Sequence, residues 1–334
     1  MTNFDKDLIF LYSENARIKL KDLANMLKKS PQRLKYGLKH LENEGIVNNP
    51  FTIIDYSFFG LILFRVYFKG GYISEGQKED ILKKLGENPS IVSIYELSGE
   101  FDLAIEMSSP NPSRFNKELK KVIDLIPTLN NYKIILNLVS HIYPRGYLAE
   151  NPSFADITDH DIIVGGDRVV EEFSNDEMAI MKSLLNNPKI RLSSLAKQSG
   201  MNVKTAVSIL KSLRKRRIVK GFKHVIDTNR LDINKFRLFL KLHNVSKERE
   251  DQLMAYLMKT REVINANKTV GDWDLEVDME SLDKIRIRRM ILQLREEFKD
   301  LIETFNIIEF YSYYKKAYLP QYLFAHDKGE TKTI

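Results

Sequence analysis

Ser30–Val47, SPQRLKYGLKHLENEGIV, returns 172 positions later as Asn202–Val219, NVKTAVSILKSLRKRRIV, an echo that marks an internal duplication. In each stretch a capping residue, Ser30 or Asn202, precedes leucines at helical spacing: Leu34, Leu38 and Leu41 in the first, Leu210 and Leu213 in the second. A side-chain oxygen at the N-cap satisfies an otherwise orphaned backbone amide, and Pro31 is preorganised for the first helical position. Gly45 ends the first helix, and an Ile-Val pair opens an extended run in both copies.

Outward from this core the repeat holds without a gap. Arg17–Lys69 aligns with Lys189–Lys241, and 14 of those 53 positions are identical. Ile18, Leu20, Leu23 and Ala24 meet Ile190, Leu192, Leu195 and Ala196, so the apolar skeleton itself is duplicated. The same offset brings Gly99-Glu100-Phe101-Asp102 onto Gly271-Asp272-Trp273-Asp274. A duplication of this reach predicts two tandem units.

Each unit begins with a helix (Phe4–Ser13 in the first), a break at Glu14-Asn15-Ala16, a second helix and the capped third. An extended stretch follows, ending at Ile53-Ile54-Asp55 and, in copy two, carrying Lys220-Gly221-Phe222-Lys223-His224. That order predicts a winged helix-turn-helix with a β-wing. Beyond it, strand and helix patterns alternate as βαββαβ, the ferredoxin-like order. The expected class is α+β, with two repeats that each join a winged helix-turn-helix to a ferredoxin-like (RAM/ACT-like) domain. The expected boundaries are 1–58 and 59–148 for copy one, a linker at 149–172 with one short hairpin, 173–231 and 232–325 for copy two, and a tail at 326–334.

Composition narrows the function. No run of eighteen apolar residues and no secretory pattern is present, so a soluble cytoplasmic protein without a membrane partner is expected. Without cysteine, thiolate chemistry is excluded. The six histidines, at 40, 141, 160, 224, 243 and 326, show no ligand spacing, and phosphate-binding and zincin motifs are absent. No metal, no cofactor and no catalytic residue is therefore expected. His141 and Arg145 are the one close histidine–arginine pair, read as surface residues.

The residues resemble the Lrp/AsnC (feast/famine) transcriptional regulators. The resemblance rests on Asn15-Ala16-Arg17, Leu20-Lys21-Asp22-Leu23-Ala24, the run Leu41-Glu42-Asn43-Glu44-Gly45-Ile46-Val47 and the two Gly-acid-aromatic-Asp turns. It implies a DNA-binding regulator, not an enzyme, with double-stranded DNA as partner. Members usually carry one unit per chain and pair through the ferredoxin-like domain, so a tandem chain resembles a covalent pseudo-dimer, with homo-oligomers of such chains expected. Copy two departs at Arg214-Lys215-Arg216-Arg217, where members commonly carry acids and glycine.

The charge map bears on the same reading. Asn202–His224 holds Lys204, Lys211, Arg214, Lys215, Arg216, Arg217, Lys220 and Lys223 with no acid, whereas Ser30–Thr52 balances Arg33, Lys35 and Lys39 against Glu42 and Glu44. A recognition helix presents its first turns to base edges while flanking cations meet phosphates. Gln32, Arg33 and Tyr36 with Lys204, Thr205 and Ser208 are the candidate base-facing residues. Arg214–Arg217 with Lys220 and Lys223 are the candidate phosphate contacts, and Ser30, Lys35, Lys39, Asn202 and Lys211 complete the interface. The resemblance further implies a small effector, an amino acid or similar, near the glycine turns: Gly99, Glu100 and Asp102, and Gly271, Asp272 and Asp274. Two alternatives stand beside the regulator: an enzyme resembling the sirohaem decarboxylases, which share this two-domain unit, and a sensor or oligomerisation scaffold that does not bind DNA.

Overall fold

The computed structural model of the chain describes residues 4–70, 74–126, 128–129, 131–157 and 161–325. The expected tail at 326–334, with His326, and His160 lie outside the described residues. Copy one runs α1 (Lys6–Glu14), α2 (Leu20–Leu27), α3 (Pro31–Asn43), β1 (Val47–Ile54), β2 (Ile62–Phe68), α4 (Glu75–Glu87), β3 (Ile91–Ser98), β4 (Leu103–Ser109), α5 (Pro112–Leu125) and β5 (Tyr132–Ile142). A single strand, β6 (Ile162–Gly165), leads to copy two: α6 (Asn175–Asn186), α7 (Leu192–Gln198), α8 (Val203–Lys215), β7 (Val219–Ile226), β8 (Asn234–Leu242), α9 (Lys247–Lys259), β9 (Val263–Val270), β10 (Leu275–Ser281), α10 (Lys284–Glu297) and β11 (Ile302–Lys316). Among the described residues no helix is long and apolar enough to cross a membrane.

Local chemistry sets the helix starts. Ser30 Oγ accepts the Arg33 amide, Asn202 Oδ1 accepts the Thr205 amide at 2.9 Å, and Ser174 and Glu177 form a reciprocal capping box at α6. Leu34 and Leu41 of α3, and Ala206, Leu210 and Leu213 of α8, turn inward.

The stretch after each third helix does not fold back as a wing hairpin within its own copy. β1 and β7 instead pair antiparallel with each other, Phe51 opposite Lys223 at the centre. Each strand also packs on the other copy's helices: Ile53 and Ile54 join Ile180, Leu184 and Leu213, while Ile226 joins Leu8, Phe10 and Leu34. The hydrogen bonds are reciprocal at the repeat offset. Thr52 Oγ1 donates to the Leu184 carbonyl at 2.7 Å, and Nδ1 of its counterpart His224 lies 2.9 Å from the carbonyl of Leu184's counterpart, Tyr12. Likewise Asp55 N–H donates to Ile218 O and Asp227 N–H to Ile46 O, both at 2.9 Å. Buried main-chain groups that leave one ladder must find another, and here they find it across the duplication.

Below these heads, eight strands close on themselves in the order β2-β4-β3-β11-β8-β10-β9-β5, with β5 returning to β2. All neighbours are antiparallel. The long strands weld the halves: β5 pairs β2 near its start and β9 near its end, and β11 pairs β8 and then β3. Closure leaves no long edge among these strands for another chain to extend. Helices α4 and α5 cover the outside of one half, α9 and α10 the other.

The expected hairpin within 149–172 is also replaced. β6 adds to β5, and Gly165, at φ +92°, lies where a Cβ would come within 2.7 Å of both the Leu138 carbonyl and the Tyr56 hydroxyl. Residues 167–170 then run exposed toward copy two.

Candidate nucleic-acid interface

On α3 the positions between the buried leucines carry Gln32, Arg33, Lys35, Tyr36 and Lys39, all exposed, with Tyr36 at 78%. On α8 the same register exposes Lys204, Ser208, Lys211, Arg214 and Lys215, with Thr205 half-buried under its cap. Arg217 follows, exposed and held at φ +60° in the turn that ends the helix. Cations in this last turn also meet the negative end of the helix dipole. Arg214 and Lys211 line a cleft of about 850 Å³ between the heads, facing Asp22 and Arg17 of copy one.

Two of the expected phosphate contacts are placed elsewhere. Lys220 Nζ lies 2.8 Å from Asp55 Oδ2 and also donates to the Ile163 carbonyl; Lys223 Nζ lies 2.5 Å from Glu14 Oε2. Both ammonium groups are buried because their strand is the inter-copy strand β7 and not a solvent-facing wing. Arg216 is engaged by Glu171 and Glu177 and is only partly exposed. The exposed acid-free face is therefore narrower than the sequence suggested: Lys204, Lys211, Arg214, Lys215 and Arg217.

The glycine turns of the two halves converge. Lys133 Nζ bridges Glu100, at 3.1 Å, and Asp272, at 2.9 Å, one from each turn. Gly99 and Gly271 adopt φ +118° and +144°, which side chains rarely accept. Asp102 accepts the Gly70 amide at 2.5 Å, and its repeat mate Asp274 accepts the Leu242 amide at 2.8 Å. These two aspartates thus stitch their turns to the end of the first strand of each half.

Sequence reasoning missed the barrel interior. Arg65 donates to Glu106 at 3.0 and 2.6 Å and pairs with Glu276; Arg237 donates to Asp278 at 2.6 and 2.9 Å and to the hydroxyls of Tyr67 and Tyr95. Arg145, read as a surface residue, is mostly buried between Glu14 and Glu280, because the chain after β5 tucks beneath the heads. Its partner in that reading, His141, lies 2.9 Å from Asp161. Burial alone would raise the carboxyls of Glu106 and Asp278, but Lys316 and Arg65 hold the first well below the usual range, and Arg237 lowers the second. Burial pushes the Lys235 and Lys316 ammonium groups down. The signal was present: Arg65, inside the apolar strand β2, repeats at the same offset as Arg237 of β8, and a duplicated arginine in a core strand requires a buried partner.

Comparison with known proteins agrees with this architecture. Residues 1–48 match the winged helix-turn-helix DNA-binding family. The HTH-type transcriptional regulator FL11 of Pyrococcus horikoshii is 24% identical over 134 residues, spanning 39% of this chain and 82% of that protein. The glutamate uptake regulatory protein of Zymomonas mobilis is 21% identical over 127 residues, covering 38% of this chain and 77% of its own length. Among solved structures, the siroheme decarboxylase NirDL superposes over 95% of this chain and 93% of its own, with a TM-score of 0.57 and 14% identity, a likeness of fold. Doubled along its length and opened by a winged helix-turn-helix match, the chain is similar over about two fifths of its length to HTH-type transcriptional regulators.

Proposed function

We propose that the chain is a sequence-specific DNA-binding transcriptional regulator whose copy-two head supplies the main grip. The observation that carries this reading is the exposed, acid-free face of α8, Lys204 to Arg217, on a helix-turn-helix. Its first turn offers Lys204, Thr205 and Ser208 to base edges, and its end offers Arg214, Lys215 and Arg217 to phosphates. In copy one, α3 presents Gln32, Arg33 and Tyr36, a less charged surface suited to a different half-site. Releasing counterions from five phosphates gives a log–log salt slope of about −4.5.

The test is a fluorescence titration of DNA fragments flanking the protein's own gene at several salt concentrations. Wild type is compared with a variant carrying Arg214→Ala, Lys215→Ala and Arg217→Ala. A steep slope that flattens by about three units in the variant supports the proposal. Salt-insensitive binding, or binding that the variant leaves unchanged, overturns it.

Lys133, Glu100 and Asp272 suit a zwitterionic effector such as an amino acid, which meets one cation and two carboxylates where the turns of both halves converge. Soluble cytoplasmic operation and assembly of several pseudo-dimeric chains complete the proposal. One observation favours an enzymatic reading, the full-length likeness of fold to the siroheme decarboxylase. Against it, the two cavities at the barrel core, about 50 and 20 Å³, are far below the roughly 300 Å³ at which ligand pockets begin. A Soret band retained after incubation with a tetrapyrrole and gel filtration would reverse that judgement.

A further inference from the structure

The outer face of copy two carries a groove of about 560 Å³ between α10 and strands β8 and β11. Its floor is Phe236, Ile287, Ile291, Phe305 and Ile307, and its rim is Ile285 and Leu292, exposed at 66% and 55%. Lys284, Arg288 and Arg295 stand along the same helix, with Lys284 Nζ 5.6 Å from the centre of the Phe236 ring and the Arg295 guanidinium 4.6 Å from that of Phe305.

Copy one supplies an internal control, because α5 and α10 align without a gap at the repeat offset. Where α10 has Ile285 and Leu292, α5 has Ser113 and Lys120, ordinary solvent-facing residues. Where α10 has Ile287, α5 has Phe115, whose ring stacks on Phe64 at 4.0 Å and fills the space. Phe236 occupies the position of Phe64 but has only the smaller isoleucine opposite it. Strand register contributes as well: Phe64 faces Leu136, but Phe236 faces Glu309, one residue beyond Leu136's counterpart Ile308, so Phe305 and Ile307 turn toward the helices. The same scaffold is closed and polar in one copy, open, apolar and cationic in the other.

We infer that this groove is a binding site for an amphiphilic anion, an apolar chain bearing a carboxylate or phosphate head. Apolar floor and cationic rim match the two ends of such a molecule, and the volume falls within the range of small-ligand pockets. Ten residues line the groove, against the roughly 20–30 a side that a stable protein interface engages. The site is separate from the DNA-reading heads and from the glycine turns, and it stands or falls independently of the DNA proposal.

The probe is dansylaminoundecanoic acid, whose fluorescence rises on entering an apolar site, titrated into the full-length protein. Wild type is expected to bind it and to release it to dodecanoate or dodecyl phosphate, whichever head group is preferred, but not to dodecanol. Ile285→Ser with Leu292→Lys, the residues that α5 tolerates at these positions, weakens binding by about tenfold or more. Ile287→Phe, which restores the aromatic stack of copy one, blocks entry while circular dichroism stays unchanged. Absence of probe binding by wild type, displacement by dodecanol as readily as by the anions, or binding by both variants as tight as that of wild type overturns the inference. So does a wild-type oligomer that the rim variant dissociates without any probe binding, since the groove would then be an interface between copies of the chain.

Discussion

His224 is 1% exposed and packs tilted against Tyr12, with ring centres 4.4 Å apart. Burial lowers its pKa from 6.5 to about 4, so the unfolded chain takes up the proton first as pH falls. The stability that neutral His224 supports is whole above the ordinary value and is lost progressively below it, at up to about 1.4 kcal/mol per pH unit, until the folded-state value is reached. Urea unfolding near pH 7 and near pH 5 should therefore show a loss of about 2 kcal/mol in wild type. The loss should be largely absent in His224→Thr, which installs the hydroxyl that Thr52 uses in the mirror position. A second prediction concerns Arg65, 2% exposed among Glu106, Glu276 and Arg237. Arg65→Met leaves two buried carboxylates short of their cation and should cost about 3–5 kcal/mol, read as a lower denaturant midpoint. The first effect was not legible beforehand, because His224 was read as part of a wing; the second had only the duplicated arginine as its sign.

Helices α3 and α8 were legible because everything that specifies them is local: cap, leucine spacing and terminating glycine or turn. Their exposed faces follow from the same periodicity, and of the candidate residues on the two helices only Thr205 is half-buried. The strands after them were legible as strands but not as to partner, since alternation fixes a buried face and says nothing of which edge it meets. That gap misplaced Lys220 and Lys223. The two kinds of cation should now separate experimentally. Arg214→Ala and Lys215→Ala should weaken DNA binding and reduce its salt slope by about one unit each, with little change in unfolding. Lys220→Ala leaves the buried Asp55 carboxylate without its partner at the inter-copy strand, and should lower stability while the salt slope stays as in wild type. At the helix start, Asn202→Ala should cost about 1 kcal/mol, measured by urea unfolding.

At the scale of the molecule, the duplication gave the fold order directly, but the way the copies interlock emerged only in three dimensions. Each head is completed by the other's strand, and each half of the barrel lends its last strand to the other. Co-expressed fragments 1–166 and 167–334, divided at the exposed connection where Val169 and Val170 are 85% and 60% accessible, should copurify as one complex. Either fragment alone should be insoluble or aggregated; two independently folded, separable fragments would refute the interlock. Fusion has a further effect at the pseudo-twofold axis. In a true homodimer the residue on the axis must face itself, so its neighbourhood has to be self-compatible. Here Phe51 faces Lys223, and the Arg65–Glu276 bond has no mirror, because Glu276 corresponds to Ala104 in copy one. Two first halves would set Phe51 against Phe51 and leave Arg65 without its second carboxylate. The covalent link releases each half from having to match itself, and at these positions the two have become unlike, each shaped to the other.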